Sequence, residues 1–221
     1  GTVMEDCRVL EACREGKYTS VLVQTHDKKY VEYRTEHFVN ALGSGAGKLC
    51  DSMGIDAGLY PVRHQAFITR RLPMLGKHGT NLDMLIDRQD YKGFSAVYGQ
   101  QIAYTGQIIG CASPKLDAMR IDKNLKVNTK AFLEIVSEMF SEWIPDLAGV
   151  GIQAVWAGYY TEPRYIVDPE LGLFVGMRGH GFMLSQYIAR MYVDKLLGRP
   201  VPEYFEKLKL NGPGLSEKAF K

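Results

Sequence analysis

The chain has 221 residues, 46% of them apolar and 24% charged, with a formal net charge of +2. That is enough chain to bury a core as one large or two modest domains. The near-neutral balance gives no electrostatic basis for a nucleic-acid or membrane-surface partner, and no apolar run approaches the ~18 residues a transmembrane helix needs.

Cys7, Cys13, Cys50 and Cys111 are scattered, with no CxxC pair and no histidine nearby at zinc-ligand spacing. They read as free thiols, which favours a reducing, cytoplasmic setting. The chain opens on Gly1-Thr2-Val3 instead of an initiator methionine. It is therefore expected to be part of a larger polypeptide or one subunit of a split enzyme.

Residues 3–41 are β-rich. Tyr18–Gln24 and Tyr30–Arg34 are β-branched and aromatic runs joined by the polar turn His26-Asp27-Lys28-Lys29, a hairpin signal. A third run, Phe38–Leu42, leads into Gly43-Ser44-Gly45-Ala46-Gly47, and a short helix over Lys48–Met53 ends at Gly54. The glycine cluster is not a triphosphate loop. Leu42 stands where that motif needs its first glycine, Leu49 where it needs Ser or Thr, and Lys48 where a dinucleotide fingerprint needs its third glycine. What survives is a strand–glycine loop–helix whose backbone can approach a cofactor closely.

A second β-rich block covers residues 55–112, with strands expected at Tyr60–Thr69, Met84–Asp87, Phe94–Gln100 and Tyr104–Cys111. Gly76, Gly79 and Gly93 punctuate the loops between them. Strict alternation puts Phe94, Ala96, Tyr98 and Gln100 on one face, and a face with Tyr98, Gln100 and His64 can line a pocket or belong to an ordinary half-buried sheet.

The clearest helix spans residues 127–144, capped by Asn128 or Thr129. Phe132, Ile135, Val136, Met139, Phe140 and Trp143 fall on one helical stripe, and Pro145 stops it. Val150–Ala157 reads as a buried strand followed by a polar turn, Gly158–Pro163, that carries Tyr159 and Tyr160. The tail over 198–221 is lysine-rich and punctuated by Gly and Pro, and reads as a surface extension.

Gly172–Leu197 is the stretch with most chemical promise. A short apolar strand, Leu173–Val175, enters a glycine-dense loop (Gly176, Gly179, Gly181) and then a long amphipathic helix. The helix start presents unpaired N–H groups and a positive dipole end, suited to an anion or an electron-rich ring. The same pattern can also be a tight turn that serves packing alone.

Three pieces in order resemble one family. FVNALGSGAGKL resembles the strand and loop that close the flavin domain of FAD-dependent amino-acid oxidoreductases, the group of D-amino-acid oxidase, sarcosine oxidase and glycine oxidase. PVRHQAFIT, MLIDRQD, GFSAVYGQQ and GQIIGCASP resemble the substrate-domain sheet. VWAGYYTEP and GLFVGMRGHGFMLSQYIAR resemble the two C-terminal signatures.

The resemblance implies an α/β (α+β) fold: the second half of a glutathione-reductase-like FAD-binding domain plus a mostly antiparallel substrate-domain sheet. It implies a flavin-domain segment over 1–54, a substrate domain over 55–150, a return to the flavin domain over 151–198, and a tail over 199–221. The N-terminal GxGxxG strand–helix is missing, so a companion chain carrying that half is implied, with little FAD bound by this chain alone.

The implied reaction oxidises the C–N bond of an amino acid or secondary amine by hydride transfer to flavin N5, giving an imine that water hydrolyses. FAD would be non-covalent, since no Cys or His stands out as an attachment point. By the same carry-over, Gly43 and Gly45 approach the ribityl or pyrophosphate side, and Arg178, Gly179, His180, Gly181, Phe182 and Met183 form the flavin loop.

One departure matters. Tyr160 stands where glycine-oxidase-like members place the arginine that clamps the substrate carboxylate, and a phenol cannot replace that fork. Arg178 is the first substitute cation, with Arg63 and Arg164 behind it. Tyr98 and His64 complete the catalytic candidates. The same residues also fit a non-catalytic assembly subunit of a flavin dehydrogenase complex, or a flavoenzyme acting on a 2-hydroxy acid.

Overall fold

The computed structural model describes residues 1–75, 81–87, 94–114 and 129–214. Gly76, Gly79, Gly93 and Asn128, assigned above to loops and a cap, lie outside the described residues. The chain divides into two compact units, residues 1–60 with 160–221 and residues 61–159.

In the first unit, β1 (Arg8–Glu15), β2 (Tyr18–Gln24) and β3 (Tyr30–Thr35) form an antiparallel meander. Its inner face buries Ala12, Val21 and Val23 against Leu49 of helix α1 (Ala46–Ser52). That helix ends as its glycine requires. Gly54 takes φ +69° and the Ile55 N–H reaches back to the Cys50 carbonyl at 2.9 Å, satisfying an orphan carbonyl of the last turn.

The run Phe38–Leu42 is not a strand beyond a single parallel bridge between Asn40 and Leu173. The reason is Asn40 itself. Fully buried, it donates through Nδ2 to the Ala46 carbonyl at 3.1 Å and accepts from the Leu42 N–H at 3.3 Å, which curls the chain into α1.

The second unit is built on a five-stranded sheet in the order β5 (Leu85–Asp87), β6 (Phe94–Gln101), β7 (Ile108–Pro114), β4 (Tyr60–Thr69), β8 (Ile152–Glu162). One face carries Gln65, Phe67, Thr69, Val97, Ile108 and Ala112, and helix α2 (Thr129–Trp143) lays Phe132, Ile135, Val136, Met139 and Phe140 into the same core. Gly99 and Gly110 are paired across β6 and β7. A Cβ at Gly110 would meet the Phe67 ring at 2.5 Å, and one at Gly99 the Phe140 ring at 2.8 Å. Those two rings, edge to face at 5.4 Å, occupy the space the glycines vacate.

Three expectations for this region change. A bulge between Ser95 and Val97 breaks the alternation of β6, so Phe94 pairs with Pro114 and loses the phase shared by Tyr98 and Gln100. Residues 103–105 form a turn, leaving β7 to start at Ile108. Tyr159 to Glu162 are strand, not turn, because aromatic and β-branched residues carry β8 on to Pro163, which has no N–H for a ladder.

Back in the first unit, β9 (Ile166–Asp168) and β10 (Leu173–Val175) form a hairpin on which α3 (Gly181–Leu196) packs. The tail is not a surface extension. A 3-10 helix over Glu203–Leu208 buries Phe205 (0% exposed) and Leu208 (1%) against Tyr165, Val167, Ile188, Met191 and Tyr192. Arg164 then donates to the carbonyls of Leu210 and of Gly212, and Lys209 bridges Glu170 at 2.8 Å.

Burial pushes the Tyr192 phenol from 10.0 up to about 12, with the nearby Asp168 charge adding to it. Below the unfolded value both states hold the proton and stability does not depend on this group. From roughly pH 10 to 12 the unfolded state loses its proton first, so stability falls as pH rises, by about 1.4 kcal/mol per unit. Urea midpoints measured across that window should fall less steeply for Tyr192→Phe than for wild type. Parallel slopes would refute the assignment.

Candidate flavin-ring site

Asn40 and Leu173 run parallel, locked by Asn40 N–H to the Gly172 carbonyl (2.8 Å) and Phe174 N–H to the Asn40 carbonyl (3.0 Å). Both chains therefore leave this bridge at the same end. Each then makes a glycine turn, Gly43–Gly45 on one side and Gly176–His180 on the other, before starting a helix. Gly43 holds φ +55° with open space where a side chain would stand. Ligands in α/β folds bind outside the carboxyl ends of strands, where such turns sit.

The second turn is the tighter of the two. Gly176 holds φ +72°, and a Cβ there would lie 1.9 Å from the Arg164 carbonyl oxygen. A Cβ on Gly179 would lie 2.7 Å from the Tyr160 ring, and one on Gly181 2.8 Å from the Met177 Cβ. Packing thus accounts for all three glycines.

Arg178 occupies the left-handed region at φ +47°, and its Nε lies 2.6 Å from the Glu162 carboxylate. Both side chains are mostly buried, at 24% and 15% exposure. The His180 ring turns toward Tyr165, with Nδ1 2.5 Å from the phenol oxygen. Consequently His180, the N-cap of α3, gives no side-chain hydrogen bond to the helix start, and no acidic residue stands in the first turn. The N–H groups at Gly181, Phe182 and Met183 belong to the unpaired first turn of a sixteen-residue helix. Phe182 is 99% exposed and Met183 67%.

The structure thus joins Arg178, Gly179 and His180 of the turn to Gly181, Phe182 and Met183 at the start of α3, with Tyr160 of β8 packed on Gly179. The reserve cations are committed elsewhere: Arg164 braces the tail carbonyls, and Arg63 is buried on the Phe67 side of β4. Sequence reasoning passed over Glu162 and Tyr165. Residues 158–163 read as a turn, and only the strand that the structure shows there puts Glu162 in phase with Tyr160.

In the other unit, register places Tyr98 opposite Cys111 and Cys111 opposite Ala66, two residues along β4 from His64. His64 and Tyr98 therefore share the sheet face turned away from α2. Burial pushes the Cys111 thiol up, opposed by a hydrogen bond with Tyr98, which keeps it protonated at neutral pH. Among the described residues no cluster of His, Cys, Asp or Glu is placed to hold a metal ion, and no helix is long and apolar enough to cross a membrane.

Solved structures share this fold. Glycine oxidase from Geobacillus kaustophilus superposes with a TM-score of 0.68 at 17% identity over 93% of this chain and 52% of its own. L-proline dehydrogenase from P. horikoshii gives 0.67 at 25% identity over 92% and 53%. Iminodiacetate oxidase from Chelativorans sp. BNC1 gives 0.65 at 14% identity over 95% and 53%. The chain spans about half the length of these proteins. No curated protein matches at the sequence level. Residues 1–195 match the family described as FAD dependent oxidoreductase (DAO), and the chain belongs to that FAD-dependent family.

Proposed function

We propose that this chain supplies the substrate sheet and the flavin-ring loop of an enzyme that oxidises the C–N bond of an amino acid or secondary amine. The observation that carries this reading is the start of α3, an uncapped, exposed helix N-terminus reached through a glycine turn that residues 160–165 hold in place.

These residues fit a flavin. The turn carries no acidic group in the first helical turn and is flanked by exposed apolar Phe182 and Met183. FAD, held non-covalently, supplies the hydride acceptor at N5. The N–H groups at Gly181, Phe182 and Met183 present preorganised donors and the positive helix end to an anionic ring edge. Gly43 and Gly45 let backbone approach the ribityl–pyrophosphate portion.

Arg178 takes the substrate carboxylate. Glu162 engages its Nε, and a guanidinium carries five N–H donors in all, more than one carboxylate uses. Tyr160 adds a phenol packed on Gly179, and in the other unit Tyr98 and His64 share one sheet face. The GxGxxG half lies outside residues 1–221, and the four free thiols fit a reducing cytoplasmic setting.

Native mass spectrometry of the complex captured on this chain tests the reading. The expected result is a companion polypeptide together with a non-covalent FAD mass, and bleaching of the flavin band on anaerobic addition of glycine, sarcosine or proline. A complex with its companion but without flavin would favour the assembly-subunit reading. Bleaching by 2-hydroxy acids and not by amines would move the substrate class.

A further inference from the structure

Residues 178–180 of the flavin-loop turn are each met by one residue of the segment 160–165 that precedes β9. Tyr160 packs on Gly179, Glu162 pairs with Arg178, and Tyr165 meets His180. Of these contacts only the Glu162–Arg178 pair is ionic, and its place is unusual. Arg178 sits in a left-handed conformation that a side-chain-bearing residue rarely adopts, so something must hold it there. It also lies immediately before the N-terminus of α3, where the helix dipole already contributes a fractional positive charge. A bare guanidinium here would add a full charge to that end. A carboxylate 2.6 Å from Nε turns it into a short dipole whose field falls away quickly.

From this we infer that Glu162 is a positioning residue for the flavin loop. It fixes Arg178 in its left-handed turn and cancels its charge, so the helix N–H groups, and not the guanidinium, set how strongly the loop favours an anionic ring. The inference rests on the flavin assignment above and assigns no new chemistry to Glu162 itself.

The test uses the flavin-loaded complex with its companion chain and reads the two-electron midpoint potential of the bound FAD, with thermal unfolding alongside. Glu162→Gln removes the carboxylate charge beside Arg178 and should favour the reduced anionic flavin about tenfold, a rise of about 30 mV for a two-electron couple. Arg178→Gln removes the guanidinium charge beside Glu162 and should move the potential the other way. The double variant Glu162→Gln/Arg178→Gln and the conservative Glu162→Asp should both return it to within about threefold of wild type.

A fall in thermal stability with an unchanged potential would reduce the pair to a structural brace and overturn the inference. Shifts of the same sign in the two single variants would also overturn it. If Glu162→Gln does not accumulate, the downward shift in Arg178→Gln decides alone. Failure of the flavin assignment is separately visible, because the wild-type complex would then carry no flavin spectrum.

Discussion

Phe182→Pro is expected to weaken FAD binding by roughly ten- to a hundredfold, while the fold survives. Phe182 is the second residue of α3, and its N–H belongs to the first turn, which has no carbonyl partner within the helix. Proline is tolerated in the first helical turn, where its missing N–H breaks no ladder bond. The phenyl ring is 99% exposed, so little packing is lost with it. What disappears is one donor to the ring edge, and a hydrogen bond to a charged group contributes about 1.5–3 kcal/mol. Phe182→Ala removes the same side chain but keeps the N–H, and should bind FAD more tightly than Phe182→Pro. Fluorescence titration of FAD into the complex, with circular dichroism as the folding control, separates the two variants. Equal affinities for Pro and Ala would remove this N–H from the site.

Gly176→Ala should destabilise the unit formed by residues 1–60 and 160–221 by about 4 kcal/mol, much of the stability a domain possesses. Two effects add. Alanine at φ +72° incurs about 1–2 kcal/mol of backbone strain. Its Cβ would also fall 1.9 Å from the Arg164 carbonyl oxygen, a backbone atom that cannot move without parting the end of the β9–β10 hairpin. Relieving such an overlap costs about 1–3 kcal/mol or more. Gly198→Ala is the internal control: its φ is +67° but nothing lies within 4 Å of the added carbon, so strain alone remains. Urea unfolding should show Gly176→Ala far below Gly198→Ala. Equal midpoints would mean that the hairpin end yields freely.

These expectations depend on features of unequal legibility. The strand Tyr60–Thr69, the strand Leu173–Val175, the helix at Thr129–Trp143 and the glycine-ended helix before Gly54 were readable because each carries its own period or punctuation. The bulge at Ser95–Val97 was not, since a bulge exists only relative to the register of β7. The tail misled for a related reason. Phe205 and Leu208 are two apolar residues among lysines, and only the hydrophobic patch left by β9 and α3 makes them core.

By itself the sequence determined that residues 172–197 fold as a strand, a glycine turn and a helix, because glycine spacing and apolar period are local properties of the chain. It left open whether that helix start meets an anion or serves packing alone, although no acidic residue follows His180 in the first turn. Only the tertiary structure decided what each residue of the turn does. Arg178 and Glu162 are sixteen positions apart, and no local pattern distinguishes a guanidinium that awaits a substrate from one already paired with a carboxylate. The side chain of His180, placed in the flavin loop by resemblance, instead meets Tyr165, in the loop between β8 and β9. Pairing across such separations is set by how strands and loops close on one another, and that is where the chemistry of this turn is fixed.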